Sequence, residues 1–325
     1  MKKNISVIGC GYWGKNLIRN FFELGALHSV SDVNTEAAHN YANQYHVKNL
    51  TFNEIINDQN IKGVVLTVPA KLHTAMAIDV MNKGKHVFVE KPLAMNESDA
   101  NLMIATADKK NVQLMIGHLL QYHPIFKHIK KLVHEGQIGK LEYIYSNRLS
   151  FGKFRTEEDV IWSFAPHDIS MILSLVHEKP KIVTCDVKSI LQKNHADIAN
   201  IYMEFPSGLK SHISVSWLNP YKEVKLVLTG SSAMLVFDDT KPWHEKLAIY
   251  LFKVVSSKNL INLQNSNVQY IKVTEEEPLK NECQHFIDVV EKDIQPLTDV
   301  AEGLRVLKVL SAASRSQVKN ERVKL

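Results

Sequence analysis

Apolar positions in the first third of the chain follow two alternating rhythms. The stretch "NISVIGCG" is a short strand running into glycines, and "YWGKNLIRNFFELGAL" follows with Trp13, Leu17, Phe21 and Leu24 at helical spacing. "LHSVSDVN" is a second strand. Further along come the strand "IKGVVLTVP", the helical "HTAMAIDVMNKG", the strand "KHVFVEKP", a helix opening at Asn96 with Asp99 three residues on, and the strand "VQLMIGH". Repeated strand-helix alternation predicts parallel strands covered by helices on both faces. The first 120 residues or so are therefore expected to form a doubly wound sheet.

After His123-Pro124 the pattern changes. One helical segment, "IFKHIKKLVHEGQIG", leads into the strand-like pieces "KLEYIYSNRLSF", "IANIYMEFPSGLKSHISVSW" and "VKLVLTGSSAMLVFDD". Pro206-Ser207-Gly208 and Gly230-Ser231-Ser232 are turn signals that join neighbours as hairpins. The tail, "NECQHFIDVVEKD" and "VAEGLRVLKVLSAASRSQV", returns to helix. The expected class is α/β: a Rossmann-type domain over 1–122, then an α+β domain over 123–325 built on a mostly antiparallel sheet.

Composition narrows the function without choosing it. The 325 residues are 45% hydrophobic, ample for a large core, and the net charge of +5 is spread along the chain. No basic block with interleaved aromatics points to nucleic acid, and no apolar run approaches the roughly 20 residues that span a bilayer. The start, "MKKNISVIGCGYWG", lacks a secretory core, so a cytoplasmic protein is expected. Cys10, Cys185 and Cys283 are far apart with no paired spacing, and the histidines form no HExxH or His/Cys cluster, so neither disulfide nor metal is expected.

Chemistry first enters at Gly9-Cys10-Gly11-Tyr12-Trp13-Gly14. A lone GxGxxG is weak, but here a strand precedes it, an amphipathic helix follows, and Asp32 ends the next strand. Gly9 suits the tight turn, Gly11 the approach of a pyrophosphate to the helix N-terminus, and Gly14 close helix-strand packing. Asp32 would accept from the adenosine ribose hydroxyls and repel a 2′-phosphate, and "VNTE" after it supplies no arginine. NAD is thus favoured over NADP, with Gly9, Gly11, Tyr12, Trp13, Gly14 and Asp32 as candidate cofactor residues.

In an open parallel sheet, ligands bind outside the carboxyl ends of the strands. Glu90, Lys91 and Pro92 end "KHVFVEKP" at such an edge. A lysine there can meet the nicotinamide, whose positive charge helps it lose a proton and act as a base toward a substrate hydroxyl.

"LHTAMAIDVMNKGKHVFVEKPLA" closely resembles the signature of the Gfo/Idh/MocA superfamily of glucose-fructose oxidoreductases and inositol dehydrogenases. The likeness extends to "VIGCGYWG", "TVPAKLH", "GHLLQYHP" and "PLTDVAEGLRVLKVLSAASRS", a last helix at about 298–317 that in the family packs back on the cofactor domain. The resemblance implies that Lys91 contacts nicotinamide and substrate, often with a cis Lys-Pro peptide. It also implies that Thr67, Pro69, His73 and Glu90 line the dinucleotide site. His167, in "VIWSFAPHDIS", falls on the family's catalytic histidine, while Ser163 and Ala165 replace the usual aspartate and glycine. Gln121 stands where relatives often carry an arginine near the nicotinamide. Asp168 either orients His167 or faces elsewhere.

"NRLSFGKFRTEEDVIWSFAPHDIS" resembles the central segment of nucleotide-sugar 3-dehydrogenases, which act on UDP-N-acetylglucosamine or its uronic acid. Arg148, Lys153 and Arg155 form a positive segment suited to a diphosphate or carboxylate, and Trp162 and Phe164 offer flat faces for sugar or nicotinamide. The expected partner is a small sugar or nucleotide sugar, with homo-oligomerisation through the second domain's sheet. A free-sugar or inositol dehydrogenase, an NAD-dependent glycosidase and a non-catalytic NAD-binding regulator remain as alternatives.

Overall fold

A computed structural model describes residues 2–152, 154–155, 158–193, 195–257, 260–265 and 268–325. The chain divides into two units, Met1–Tyr122 with Glu276–Leu307, and His123–Glu275 with Lys308–Leu325.

The first unit begins with β1 (Ile5–Ile8), α1 (Gly14–Glu23), β2 (Leu27–Ser31), α2 (Thr35–Tyr45), β3 (Lys48–Asn49), α3 (Phe52–Asn57) and β4 (Gly63–Leu66). It continues through α4 (His73–Asn82), β5 (His86–Glu90), α5 (Glu97–Lys110) and β6 (Leu114–Gly117). The six strands lie in the order β3-β2-β1-β4-β5-β6, every pair parallel. Strand order reverses between β1 and β4, the switch point at which such sheets open a ligand crevice. Every residue of β1, β4 and β6 is buried, because helices cover both faces.

Local chemistry sets the helix starts. Asn34 caps α2 by accepting from the Ala37 N–H at 3.1 Å, and Asn96 caps α5 from the Asp99 N–H at 2.9 Å. Thr51 and Glu54 close a reciprocal capping box at α3. On α1, Leu17, Ile18 and Phe21 are buried one turn apart. Phe286 meets Phe21 and Phe88 edge-on, with ring centres at 6.2 and 5.7 Å. Residues from the far end of the chain thus complete this core.

The second unit holds α6 (Pro124–His134), β7 (Leu141–Phe151), α7 (Val160–Val176), β8 (Ile182–Lys188), β9 (Ile198–Glu204) and β10 (Lys210–Ser216). It then adds β11 (Leu218–Gly230), β12 (Ala233–Asp238), β13 (Leu247–Ser257), β14 (Leu260–Asn265) and β15 (Gln269–Tyr270). The last elements along the chain are α8 (Pro278–Lys292), in the first unit, α9 (Val300–Lys319), which spans the division at Leu307, and β16 (Val323–Lys324). The second sheet runs β14-β13-β12-β11-β7-β10-β9-β8-β16 and is antiparallel except for β7 beside β10. The two hairpins expected at Pro206–Gly208 and Gly230–Ser232 form, joining β9 to β10 and β11 to β12. Ala199, Ile201 and Met203 on β9 and Ser211, Ile213 and Val215 on β10 alternate inward, presenting one buried face. Among the described residues no helix is long and apolar enough to cross a membrane.

Candidate active site

The glycine loop after β1 is built for close approach. Gly9 has φ +102°, and a Cβ there would lie 2.5 Å from the Thr67 carbonyl oxygen. A Cβ on Gly14 would lie 1.9 Å from the Gly9 oxygen, so helix and loop touch only because the side chain is absent. Gly11 is exposed, and a Cβ there would meet nothing within 4 Å. Two glycines therefore make the loop, and the third keeps its outer surface clear. The first turn of α1 carries no acidic residue and its entry has no side-chain cap, which leaves N–H groups and the positive helix end for an anion.

Asp32 follows β2. Its Oδ2 accepts from the Cys10 N–H at 2.5 Å and its Oδ1 from the Asn34 N–H at 2.7 Å. Two backbone donors from different segments hold the carboxylate at the strand end, with lone pairs remaining for ribose hydroxyls. Val33 beside it is fully exposed. Burial and the Asp32 charge push the Cys10 thiol up to about 12, so it is no nucleophile. Tyr12 is exposed, with the Lys15 ammonium 5.2 Å from its ring centre. The cradle that a Cβ would fill and the braced carboxylate fit a dinucleotide.

The loops after β4 and β5 meet through His73. Its ring is buried, with Nδ1 2.9 Å from the Pro92 carbonyl oxygen and Nε2 2.9 Å from that of Val68. His73 thus ties the backbone of the loop after β4 to that of the loop after β5. Thr67 touches Gly9 and Gly14 from below, and Pro69 is exposed at the loop tip. Lys91-Pro92 is a cis peptide. Lys91 is half-buried directly after the last residue of β5.

Glu90 is tied to the nucleotide loop: the Trp13 indole N–H donates to its Oε1, and the Lys91 N–H donates to Oε2 at 3.3 Å. Its carboxyl rests on Gly117, whose missing side chain makes the room. Loss of surrounding water, opposed by the Trp13 bond and the Lys91 charge, moves its pKa up to about 7. Gln121 is buried in the turn Leu119–Tyr122, next to His118, whose Nδ1 lies 2.5 Å from Oε2 of buried Glu302.

Glu282 was not anticipated. It lies fully buried on α8, and both carboxylate oxygens lack a hydrogen-bond partner among the described residues. The signal was an acidic residue at the spacing of Leu279, Cys283 and Phe286, on the apolar face of the helix.

In the second unit, Asp159 caps α7, accepting from the N–H groups of Ile161 and Trp162 at 3.0 and 3.2 Å. His167 is half-buried two turns further on, after Pro166. Asp168 faces away toward the sheet: it accepts from Arg148 and, at 2.5 Å, from the Ser146 hydroxyl. Arg148 is therefore neutralised inside the unit. Trp162 donates its indole N–H to the Ser314 hydroxyl at 3.1 Å, and Phe164 meets Trp217 edge-on at 6.4 Å. Arg155 is exposed and pairs with Glu158 at 2.6 Å. Lys153 lies outside the described residues. Among the described residues no group of three or more His, Cys, Asp or Glu is placed to hold a metal ion.

Residues 3–118 match an oxidoreductase family with an NAD-binding Rossmann fold, Gfo/Idh/MocA, and residues 126–236 match the C-terminal domain of the same family. Over 252 residues the chain is 24% identical to a 2,7-anhydro-N-acetylneuraminate hydratase of Escherichia coli, covering 72% of this chain and 67% of that protein. Over 212 residues it is 26% identical to a UDP-N-acetylglucosamine 3-dehydrogenase of Acidithiobacillus ferrooxidans, covering 65% of this chain and 66% of that one. The solved structure of the UDP-N-acetylglucosamine 3-dehydrogenase GnnA from the same organism superposes with a TM-score of 0.85 at 20% identity, covering 97% of each chain. Because both domains of one family follow each other along most of its length, the chain belongs to the Gfo/Idh/MocA family and is an NAD-dependent oxidoreductase.

Proposed function

We propose that the chain oxidises a secondary hydroxyl of a sugar, and specifically C3 of a UDP-N-acetylglucosamine-type nucleotide sugar. The observation that carries this reading is Lys91. It stands at the carboxyl end of β5, next to the Glu90 that Trp13 of the nucleotide loop holds, on the edge where an open α/β sheet takes its ligand. NAD, when bound, supplies the hydride acceptor. Lys91 takes the hydroxyl proton as the carbon-hydrogen bond breaks, and His167 is the second proton-transfer group, suited to neutral pH. The alcohol leaves as a ketone, with one NADH and one proton.

Gly9, Gly11, Tyr12, Trp13, Gly14 and Asp32 hold the adenosine and pyrophosphate half of NAD. Thr67, Pro69, His73, Glu90, Gln121 and Trp162 serve its nicotinamide half. The second domain binds substrate, with Lys153 and Arg155 for the diphosphate, and associates with further copies through its sheet. A 3-keto sugar nucleotide suits a following transaminase, which places the enzyme in the cytoplasm on a route to amino sugars of cell-surface polysaccharides.

The test is NADH absorbance with UDP-N-acetylglucosamine, its uronic acid, free N-acetylglucosamine, inositol and aryl glycosides. Turnover should be found with the UDP-sugars, and Lys91→Ala and His167→Ala should each lose about 10²–10⁴-fold in kcat with little change in NAD affinity. Full activity in Lys91→Ala would remove the mechanism. Glycoside cleavage without accumulating NADH would select the glycosidase instead.

A further inference from the structure

A dinucleotide whose pyrophosphate meets the Gly9–Gly14 loop and whose adenosine ribose is taken by Asp32, on the β2 side, leaves its nicotinamide half for the other side of β1. That side carries β4 and β5, and Glu90 ends β5. The oxidised nicotinamide ring is positive and the reduced ring is neutral. A carboxyl that can be either neutral or charged beside it will not treat the two alike.

Glu90 is such a group. Its oxygens accept from the Trp13 indole and the Lys91 backbone, and the residue keeps partial exposure at the strand end. The ionisable groups around it come from each packed element. Lys91 follows it in the chain, His118 reaches it from the end of β6 with Glu302 behind, and Glu282 and Cys283 face it from α8. Tyr122 stands beside Glu282. Glu282 is fully buried, and neither of its oxygens has a donor among the described residues. Ionising a carboxyl in that setting is costly, and the nearby Glu90 charge adds to the cost, so Glu282 keeps its proton well above the usual carboxyl range. Cys283 is likewise held as a thiol by burial first and by the acidic neighbours second. Of the two carboxyls, Glu90 has the Trp13 donor and the Lys91 charge that favour its ionised form, while Glu282 is held toward its neutral form by burial and by Glu90.

We propose that Glu90 is a proton-linked reader of the cofactor's oxidation state, holding a proton in the free protein and with NADH and releasing it to solvent when NAD⁺ binds, with Glu282 neutral beside it in both states. The exchange balances as one carboxyl and one NAD⁺ giving one carboxylate, one bound NAD⁺ and one solvated proton. The pair thereby sets which form of the coenzyme the enzyme prefers. It favours NADH in acid and NAD⁺ in alkali, whatever the sugar substrate.

A unit positive charge about 6 Å away, at an effective dielectric near 20, lowers a carboxyl pKa by roughly 2. Starting from about 7 for Glu90, the affinity for NAD⁺ should then rise about tenfold from pH 6 to pH 8, while that for NADH stays flat. Titration calorimetry in two buffers of different ionisation enthalpy at pH 6.5 should show roughly 0.7 proton released per NAD⁺ and none per NADH. Glu90→Gln, which keeps an acceptor for Trp13, should abolish the release and flatten the pH dependence. Glu282→Gln, a neutral replacement for a neutral acid, should retain both. Equal release with the two nucleotides, release that survives in Glu90→Gln and so belongs to Lys91 or another group, or release lost in Glu282→Gln would each overturn the assignment.

Discussion

Arg148 on β7 clasps Asp168 on α7 through two hydrogen bonds, Nε to Oδ2 at 2.6 Å and Nη2 to Oδ1 at 3.2 Å. The aspartate is buried and also takes the Ser146 hydroxyl, so the pair fastens the helix that carries His167 onto the sheet. Removing one partner strands the other charge. Asp168→Ala is therefore expected to cost about 3 kcal/mol of stability, read by denaturant unfolding. Arg148→Met with Asp168→Leu together should recover much of that loss, since an apolar pair leaves no buried charge. A single Asp168→Ala protein with unchanged stability would show that the clasp contributes nothing.

The two neighbouring loop glycines should separate folding from binding. Gly14→Ala places a methyl 1.9 Å from the Gly9 oxygen, so β1 and α1 must part and the melting temperature should fall by several degrees. Gly11→Ala adds a methyl to open space and should leave melting of the free protein unchanged. The same methyl occupies the approach reserved for a pyrophosphate, and NAD affinity should drop roughly tenfold or more. Thermal melts with and without NAD distinguish the two. If Gly11→Ala binds NAD normally, the pyrophosphate does not lie there.

Asp32 makes a third test. Its carboxylate is braced by two backbone N–H groups, and no cation occurs in the four residues that follow. A 2′-phosphate would face that charge without a partner. NAD should bind far more tightly than NADP, and Asp32→Ala should narrow the gap, chiefly by admitting NADP. Calorimetry that finds NADP preferred by the unaltered protein would defeat the ribose role.

The sheet of the first unit was legible because its strands are short apolar runs at regular spacing, and the loop because GxGxxG stood between a strand and a helix. The helices α2 and α3 were not read, although Asn34 and the Thr51-Glu54 box mark their starts, because their apolar faces are thin: only Ala38 and Ala42, and Ile55 and Ile56, are buried. The contribution of α8 to the first core was hidden by distance along the chain, since Phe286 meets Phe21 from 265 positions away. Asp168 beside His167 left two options open, because adjacent residues on a helix point about 100° apart and sequence does not say which one faces the sheet. Pairings such as Arg148 with Asp168, or Glu90 with Glu282, are tertiary and have no period to reveal them.

Arg155 makes the last test, and it bears on the substrate. Its guanidinium is about half exposed and holds Glu158 at 2.6 Å, a surface pair worth only about 0–1 kcal/mol. Such a partner is cheaply exchanged for a diphosphate, whose charge-assisted bond to arginine is worth roughly 1.5–3 kcal/mol, or about ten- to a hundredfold in binding. If Arg155 reads the UDP moiety, Arg155→Ala should raise KM for the UDP-sugar by that factor while leaving KM for NAD and for any free sugar in place. Glu158→Gln, which releases the guanidinium, should lower the same KM. The two changes must oppose each other. Should both leave the UDP-sugar KM unmoved, and free N-acetylglucosamine or inositol show the higher kcat/KM, the nucleotide-sugar reading is wrong and the enzyme is a dehydrogenase of a free sugar or polyol.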